Sequence, residues 1–169
     1  MTTSDNTNNK PPLDEAEMQQ LADLAKTQAE KVLGKIPVLG AVVWLMMQQP
    51  GARHTLLSEL DWRVMPALVL EQAKLYMRDS APVAYVSWAK LSDSVAQRYR
   101  EAPHHLTAAD WKSGDQIWII ELVTPFGGAA EVMKELRETV FAGNAVHQLM
   151  PSEQGQAKTL TWPVLGTVH

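Results

Sequence analysis

The chain has no cysteine among its 169 residues. Disulfide bridges, thiolate nucleophiles and cysteine-ligated zinc are therefore excluded. A chain without disulfides suits a reducing compartment, so we expect a cytoplasmic protein. His104 and His105 are adjacent, which makes it hard for both rings to ligate one ion, and we expect no metal site.

Excess positive charge and long apolar runs are also lacking. The net charge is −4, which gives non-specific nucleic-acid binding no electrostatic support. The longest apolar run, residues 36–47, is too short to cross a bilayer and is interrupted by Pro37 and Gly40. Residues 1–12 are polar and show no signal peptide. We therefore expect no nucleic-acid partner and no stable membrane insertion.

What is present is the composition of a soluble globular domain, with 46% apolar and 20% charged residues. Residues 1–12 lack aromatics and are predicted to be a disordered tail. Leu21, Ala25 and Val32 recur at helical spacing, which predicts a helix over about 13–33 that ends at Gly34. We expect residues 13–34 to be a helical extension and residues 35–169 to be the main domain.

Patterns in the main domain predict helices before strands, and then strands mixed with helices. The predicted helices cover about 37–47, 61–78, 92–99 and the segment from Gly128 to Phe141. The predicted strands are 82–88, 116–123 and a terminal hairpin of 146–150 with 159–164. This order favours an α+β fold in which helices pack on a sheet.

Standard catalytic signatures are missing: there is no phosphate loop, GxGxxG, HExxH or nucleophile elbow. Glu121 is instead notable as the one acid in the strand QIWIIELV. Burial would raise its pKa, as at many functional sites, although a structural carboxylate bonded to arginine or backbone fits equally well. His54, after the Pro50-Gly51 turn, is a candidate general base or an ordinary solvated histidine.

Several blocks together resemble a known family. Residues 82–89 read PVAYVSWA, 110–115 read DWKSGD and 124–128 read TPFGG, and the earlier segments 39–45, 50–53 and 65–67 fit the same pattern. In this order they resemble the RTX toxin-activating lysine acyltransferases over about residues 36–150. The resemblance implies a GNAT-like acyltransferase fold, with a central mixed sheet and flanking helices.

The resemblance also implies the reaction and its partners. Such an enzyme takes a fatty acyl group from acyl carrier protein, with no bound cofactor, and transfers it to internal lysines of an RTX protoxin or adhesin. It would be cytoplasmic, and a homodimer is expected from other members. An acidic carrier protein would need a local basic patch. Candidates for that patch are Lys74, Arg78, Lys90, Arg98 and Arg100.

The family's catalytic pair is a histidine and an aspartate, and this chain departs from both. The resemblance places Ala52 at the histidine position and Glu121 at the aspartate position. Glu121 keeps the charge, whereas Ala52 removes the base and leaves His54, two residues later, as its candidate replacement. Arg53 and Ser87 match family residues and are expected to contact substrate, Ser87 near the thioester.

Two functions therefore remain open. One is an active protein-lysine acyltransferase that uses His54 with Glu121. The other is a catalytically inactive relative that binds acyl carrier protein or an RTX partner, and an engineered replacement at Ala52 would give the same sequence. A small-molecule acetyltransferase is disfavoured because the Gly-rich coenzyme A loop is absent.

Overall fold

The computed structural model describes residues 14–151 and 157–165. They fall into two units, one before Lys35 and one from Lys35 onward. The first unit is a helix, α1, over Glu15–Leu33. Its N-cap is Asp14, whose carboxylate accepts from the Glu17 N–H at 2.7 Å while the Glu17 carboxylate accepts from the Asp14 N–H at 3.1 Å. The helix predicted here is confirmed, and the predicted tail 1–12 lies outside the described residues.

The second unit contains helices and strands that mix along the chain. Its helices are α2 (Ile36–Gln48), α3 (Leu57–Arg63), α4 (Met65–Val69), α5 (Asp93–Arg100), a 3₁₀ turn (Ala108–Trp111) and α6 (Ala129–Glu138). Its strands are β1 (Ala73–Arg78), β2 (Ala81–Leu91), β3 (Gln116–Val123), β4 (Val146–Met150) and β5 (Lys158–Trp162).

The strands form one five-stranded sheet in the order β1-β2-β3-β4-β5. β3 and β4 are parallel, and the other neighbouring pairs are antiparallel. Residues of α2, α4 and α5 pack on one face of the sheet, and α6 packs on the other. The predicted mixed sheet with flanking helices is confirmed. The strand predicted over residues 116–123 and the predicted terminal hairpin are confirmed as well.

The predicted third helix over residues 61–78 is wrong. α3 ends at Arg63, and Pro66 lies in the first turn of the separate helix α4, because proline cannot donate the hydrogen bond that a continuous helix needs. Glu71 then adopts a left-handed conformation with φ of 57°, and the chain continues as β1. The antiparallel pairing of β1 with β2 overrides the local helical pattern.

The helix predicted to run through Phe141 also ends earlier, at Glu138. The Thr139 hydroxyl donates to the Glu135 carbonyl at 2.8 Å, and the Phe141 N–H donates to the Leu136 carbonyl at 2.8 Å. These bonds occupy carbonyls of the last turn and stop the helix. Phe141 is thereby turned into the core, edge-on to Trp88 with ring centroids 5.1 Å apart.

A β-bulge in β3 sets the position of Glu121. Ser87 of β2 pairs with Glu121, but the next residue, Trp88, pairs with Ile119, so Ile120 is the extra residue. Tyr85, Ser87 and Glu121 consequently share the face covered by the helices α2 to α5. Bulges often re-aim side chains beside functional sites, and this one adjoins the residue that the sequence singled out.

Candidate functional site

Glu121 is a buried carboxylate held by one arginine. It is 7% exposed, and its Oε1 accepts from Arg63 Nε at 2.6 Å and from Arg63 Nη2 at 2.5 Å. Arg63 ends α3, lies 5.7 Å from the Trp62 ring centroid and is also 3.8 Å from the Glu59 carboxylate. Among the described residues, nothing donates to Glu121 Oε2. The carboxylate is therefore bonded to arginine, and it keeps one oxygen for another partner.

Two opposing influences act on the charge of Glu121: burial disfavours its ionised form, and the ion pair with Arg63 supports it. Burial raises the pKa of its carboxyl group, Arg63 opposes this, and the negative charge of Glu59 adds to the rise. The balance is a pKa above the ordinary value of 4.5. Perturbed carboxylates of this kind concentrate at functional sites, although ion-pair networks in cores can also produce them.

Glu121 and Arg63 line a cleft of about 320 Å³. The cleft lies where α3, the loop after α5 and the ends of β3 and β4 meet, and its wall includes Trp62, Tyr99 and His104. Burial raises the pKa of the Tyr99 phenol, and the Glu121 charge acts in the same direction. A cleft that combines apolar walls with a few convergent polar groups is typical of a small binding site.

Ser87, which the resemblance implicates near the thioester, lies beside Glu121. It is fully buried, directly across the β2–β3 pair from Glu121. Its hydroxyl and that of Tyr85 are both buried and close enough to influence each other, but neither has a partner at good hydrogen-bond geometry within the described part of the chain. Burial raises the pKa of the Tyr85 phenol, so it stays a neutral donor. Two unused buried hydroxyls near a carboxylate are unusual, because such groups are normally satisfied.

The turn after α2 is fixed against the end of β3. The Gln49 side chain accepts from the Thr124 N–H at 2.7 Å and donates to the Leu122 carbonyl at 3.3 Å. Ala52 is thereby buried in the cluster that contains Tyr85 and Val123, on the same sheet face as Glu121. Position 52, where the resemblance places the family's histidine, is therefore part of the buried core.

His54 and Arg53 occupy the same turn but are exposed. The turn is not helical, so the helical offset between positions 52 and 54 does not apply. Among the described residues, His54 does not line the cleft beside Glu121 and makes no hydrogen bond to it. The structure thus brings Ser87 to Glu121, and it leaves His54 and Arg53 at the surface.

The DWKSGD block builds a separate corner of the molecule. Asp110 Oδ2 accepts from Arg98 Nη2 at 2.6 Å, from the Thr107 N–H at 2.7 Å and from the Thr107 hydroxyl at 2.8 Å. The Ser113 hydroxyl accepts from the Ser92 N–H at 3.0 Å. A Cβ on Gly114 would lie 2.5 Å from the Ser92 backbone. These specific residue types are therefore explained by packing and hydrogen bonding.

Two of the five basic-patch candidates have acidic partners. Lys74 Nζ lies 2.9 Å from the Glu135 carboxylate, and Arg98 pairs with Asp110. Arg78, Lys90 and Arg100 are exposed, and Arg100 lies over the Trp118 ring at 5.2 Å. The exposed cations, with Arg53, are the better candidates for contact with an acidic partner.

Sequence reasoning missed three residues of the cleft. Arg63 is 58 positions from Glu121, and nothing in its local pattern marks it as the partner of that carboxylate. Tyr99 was assigned only to the short helix, and His104 was considered only as a metal ligand. Within residues 14–151 and 157–165, no group of three histidine, aspartate or glutamate side chains is arranged to hold a metal ion. Of the helices described, none is both long and apolar enough to cross a membrane.

Comparison with known proteins identifies the family. The RTX toxin acyltransferase family matches residues 31–162. The RTX-II toxin-activating lysine-acyltransferase of Actinobacillus pleuropneumoniae is 35% identical over 125 residues, which cover 73% of this chain and 78% of that protein.

The matches to two other relatives cover a smaller share of both chains. The leukotoxin-activating lysine-acyltransferase of Aggregatibacter actinomycetemcomitans is 39% identical over 102 residues, covering 60% of this chain and 61% of that protein. A protein-lysine myristoyltransferase of Escherichia coli is 38% identical over 103 residues, covering 61% of each chain. The resemblance that the sequence blocks indicated is confirmed, and the chain belongs to the RTX toxin acyltransferase family.

Proposed function

We propose that this protein is a protein-lysine acyltransferase that moves a fatty acyl group from acyl carrier protein to internal lysines of an RTX toxin or adhesin. Family membership supports the reaction class, and the relatives' names carry toxin activation and lysine acylation. The observation that carries the proposal is Glu121, a buried carboxylate with a raised pKa that lines a cleft and keeps one oxygen unused.

The reaction needs a base and a stabilised tetrahedral intermediate. The lysine ammonium loses a proton to the base, and its nitrogen attacks the thioester carbonyl carbon. The C–N bond forms, the C–S bond breaks, and the thiolate of the carrier leaves and takes up a proton. The products are an amide-linked acyl-lysine, the free carrier thiol and one proton.

Glu121 and the residues around it have different roles in this reaction. Glu121 orients the attacking amine and stabilises its positive charge, and Ser87 donates its unused hydroxyl to the substrate oxygen. Arg53, exposed beside the buried Ala52, contacts the phosphopantetheine or the acidic carrier protein. The resemblance places the base at position 52, where Ala52 stands, and His54 is the candidate replacement; because its ring is exposed, the turn would have to move before His54 could reach Glu121.

Cytoplasmic location and a homodimer complete the proposal. Acyl carrier protein as the donor supplies the acyl group without a bound cofactor. The fold in this proposal is GNAT-like, for which the five-stranded mixed sheet with helices on both faces is suitable.

The alternative is an inactive relative that binds carrier protein or an RTX partner without transfer. It is favoured by Ala52, which stands buried where the resemblance expects the base, and by Arg63, which neutralises Glu121. The rest of the scaffold would then persist for binding alone.

Acyl transfer to a co-expressed RTX protein, measured by intact mass, distinguishes these functions. The panel is the protein itself, His54→Ala, Glu121→Gln and Ala52→His, with acyl-loaded carrier protein as donor. Acyl transfer by the unmodified protein that is lost in Glu121→Gln supports the acyltransferase function. No transfer by the protein together with transfer by Ala52→His would show a scaffold without its base and establish the binding alternative.

A further inference from the structure

We infer that His104 is the general base of this protein, serving the Glu121 cleft in place of the imidazole missing at position 52. This inference rests on the proposed acyltransferase function. Both His104 and Glu121 line the same cleft, whereas His54 does not. The loop after α5 therefore supplies an imidazole to this cleft, whereas the turn after α2 has alanine at position 52.

The ring of His104 is held with one nitrogen free. Its Nδ1 lies 2.8 Å from the Tyr99 carbonyl oxygen. A carbonyl only accepts, so Nδ1 carries the hydrogen and Nε2 keeps its lone pair in the neutral ring. A hydrogen bond that fixes the tautomer through one nitrogen and leaves the other to take a proton is the arrangement expected of a histidine base.

The backbone of His104 is fixed as well. Its φ is 57°, in the left-handed region that few residues other than glycine adopt, although histidine is among those that tolerate it. Its N–H donates to the Glu101 carbonyl at 2.9 Å. Non-glycine residues held in this region cluster at functional sites. The loop thus presents the ring in one orientation.

Tyr99 contacts His104 and lines the same cleft as Glu121. Its carbonyl accepts a hydrogen bond from the His104 ring, and its own ring lies edge-on to that ring with centroids 6.4 Å apart. The charge of Glu121 raises the pKa of its phenol, and the charge of Arg63 lowers it. The charged groups that face the cleft are Glu121, Arg63 and Glu59. A lysine entering the cleft would meet a carboxylate that attracts its ammonium group and an imidazole that takes its proton.

The neighbouring histidine is oriented differently. The His105 ring packs on Trp62 with centroids 4.6 Å apart, and His105 lines a different cleft, with Asp110 and Arg98. The two histidines therefore form a matched pair: they are adjacent in sequence and alike in chemistry, but of the two only His104 lines the cleft that contains Glu121.

The proton moves in a balanced sequence. His104 Nε2 takes one proton from the lysine ammonium, and the amine then attacks the thioester carbonyl. As the C–S bond breaks, the carrier thiolate takes the proton released from the nitrogen, and His104 returns its own proton to water. Glu121 keeps its charge throughout and stabilises the imidazolium that forms.

The test uses His104→Asn, with His105→Asn and His54→Asn as comparisons. Asparagine tolerates the left-handed region, and its amide can donate to the Tyr99 carbonyl as Nδ1 does, so this change removes the base and keeps the loop. Initial transfer rates from acyl-loaded carrier protein to an RTX protoxin are measured by intact mass, near neutral and at alkaline pH. Thermal unfolding of each variant is followed alongside.

We expect His104→Asn to slow transfer by about 10²- to 10⁴-fold near neutral pH without altered unfolding. The defect should shrink toward about pH 10, where the acceptor lysine deprotonates unaided. A structural role would leave the defect independent of pH. His105→Asn should transfer at the rate of the unmodified protein.

Three results overturn the inference. A His104→Asn rate within about twofold of the unmodified protein, with loss in His54→Asn, assigns the base to His54 and leaves the proposed function intact. A defect in His104→Asn that is the same at every pH assigns the residue a structural role. Transfer only after Ala52→His shows that no histidine present acts as the base, and it refutes the proposed function as well.

Discussion

Two buried carboxylates of this protein are each paired with an arginine, and they behave in opposite ways. The side chains of Glu121 and Asp110 are 8% and 11% exposed, and both accept from a guanidinium at about 2.6 Å or less. Burial raises the pKa of Glu121, which lies in the middle of the sheet. For Asp110 burial acts in the same direction, but hydrogen bonds from Arg98 and from the Thr107 N–H and hydroxyl outweigh it and lower the pKa.

The number and variety of the hydrogen-bond donors explain the difference. Asp110 accepts three hydrogen bonds, two from Thr107 and one from Arg98, so its charge is well stabilised. In the part of the chain that the structure describes, Glu121 has Arg63 as its one donor residue, and the negative charge of Glu59 lies nearby. An ion pair in a structure is therefore not in itself a sign of function. The incompletely satisfied carboxylate in a cleft is the one suited to chemistry.

The largest expected effect separates the two carboxylates by activity. Glu121→Gln should reduce acyl transfer by about 10²- to 10⁴-fold, because the neutral amide cannot stabilise a positive charge on the amine or the base. Asp110→Asn should leave the rate per folded molecule unchanged. Initial rates by intact mass, normalised to folded protein, give the comparison. Equal losses in both variants would mean that the distinction between them is not functional.

The next largest expected effect distinguishes Asp110 from Glu121 by their contributions to the free energy of unfolding. Asp110→Ala should lower the free energy of unfolding by about 2–3 kcal/mol, since the Thr107 N–H and hydroxyl lose their acceptor and Arg98 loses its partner. Glu121→Gln, which keeps an oxygen toward Arg63, should cost less. Urea unfolding monitored by tryptophan fluorescence measures both. A larger loss in Glu121→Gln would contradict the structural role given to Asp110.

Gly114→Ala tests the backbone of the same corner. The added Cβ would lie 2.5 Å from the Ser92 backbone, so the loop before β3 and the start of α5 must move apart, at a cost of about 1–3 kcal/mol. Gly40→Ala is the matched control, because its Cβ would meet nothing within 4 Å. Urea midpoints of the two variants decide the matter, and equal midpoints would show that the close approach at Gly114 is not constraining.

The smallest effect is in the pH dependence of stability. The lowered pKa of Asp110 contributes stability that is present above its ordinary value of 3.8 and is lost as the pH falls through the folded value. The raised pKa of Glu121 contributes stability that is present below 4.5 and is lost as the pH rises through its folded value.

Unfolding free energies of the unmodified protein, Asp110→Asn and Glu121→Gln, measured from about pH 3 to about pH 7, test these opposite slopes. Each contribution changes by about 1.4 kcal/mol per pH unit between the folded and unfolded pKa values. The difference between the unmodified protein and Glu121→Gln should fall with rising pH, and that for Asp110→Asn should fall with decreasing pH. Slopes of the same sign would refute the contrast.

Much of the fold was predictable because its signals are local. The capping residues Asp14 and Ser92 lie within a turn of the groups that they bind. The apolar run of β3 has the length and composition of a central strand wherever it is placed. Residues 61–78 were mispredicted because their local pattern is helical, while β2, which lies later in the chain, pairs with their second half.

The sequence by itself determined the family, the mixed helix-and-strand organisation and the unusual position of Glu121, since each depends on residue types at short spacing. Only the tertiary structure decided that Arg63 is the partner of Glu121, that Ala52 is buried and His54 exposed, and that His104 lies in the Glu121 cleft. The physical reason is that ion pairs and clefts form between segments far apart in sequence. Their partners are selected by packing and desolvation, which no local pattern encodes.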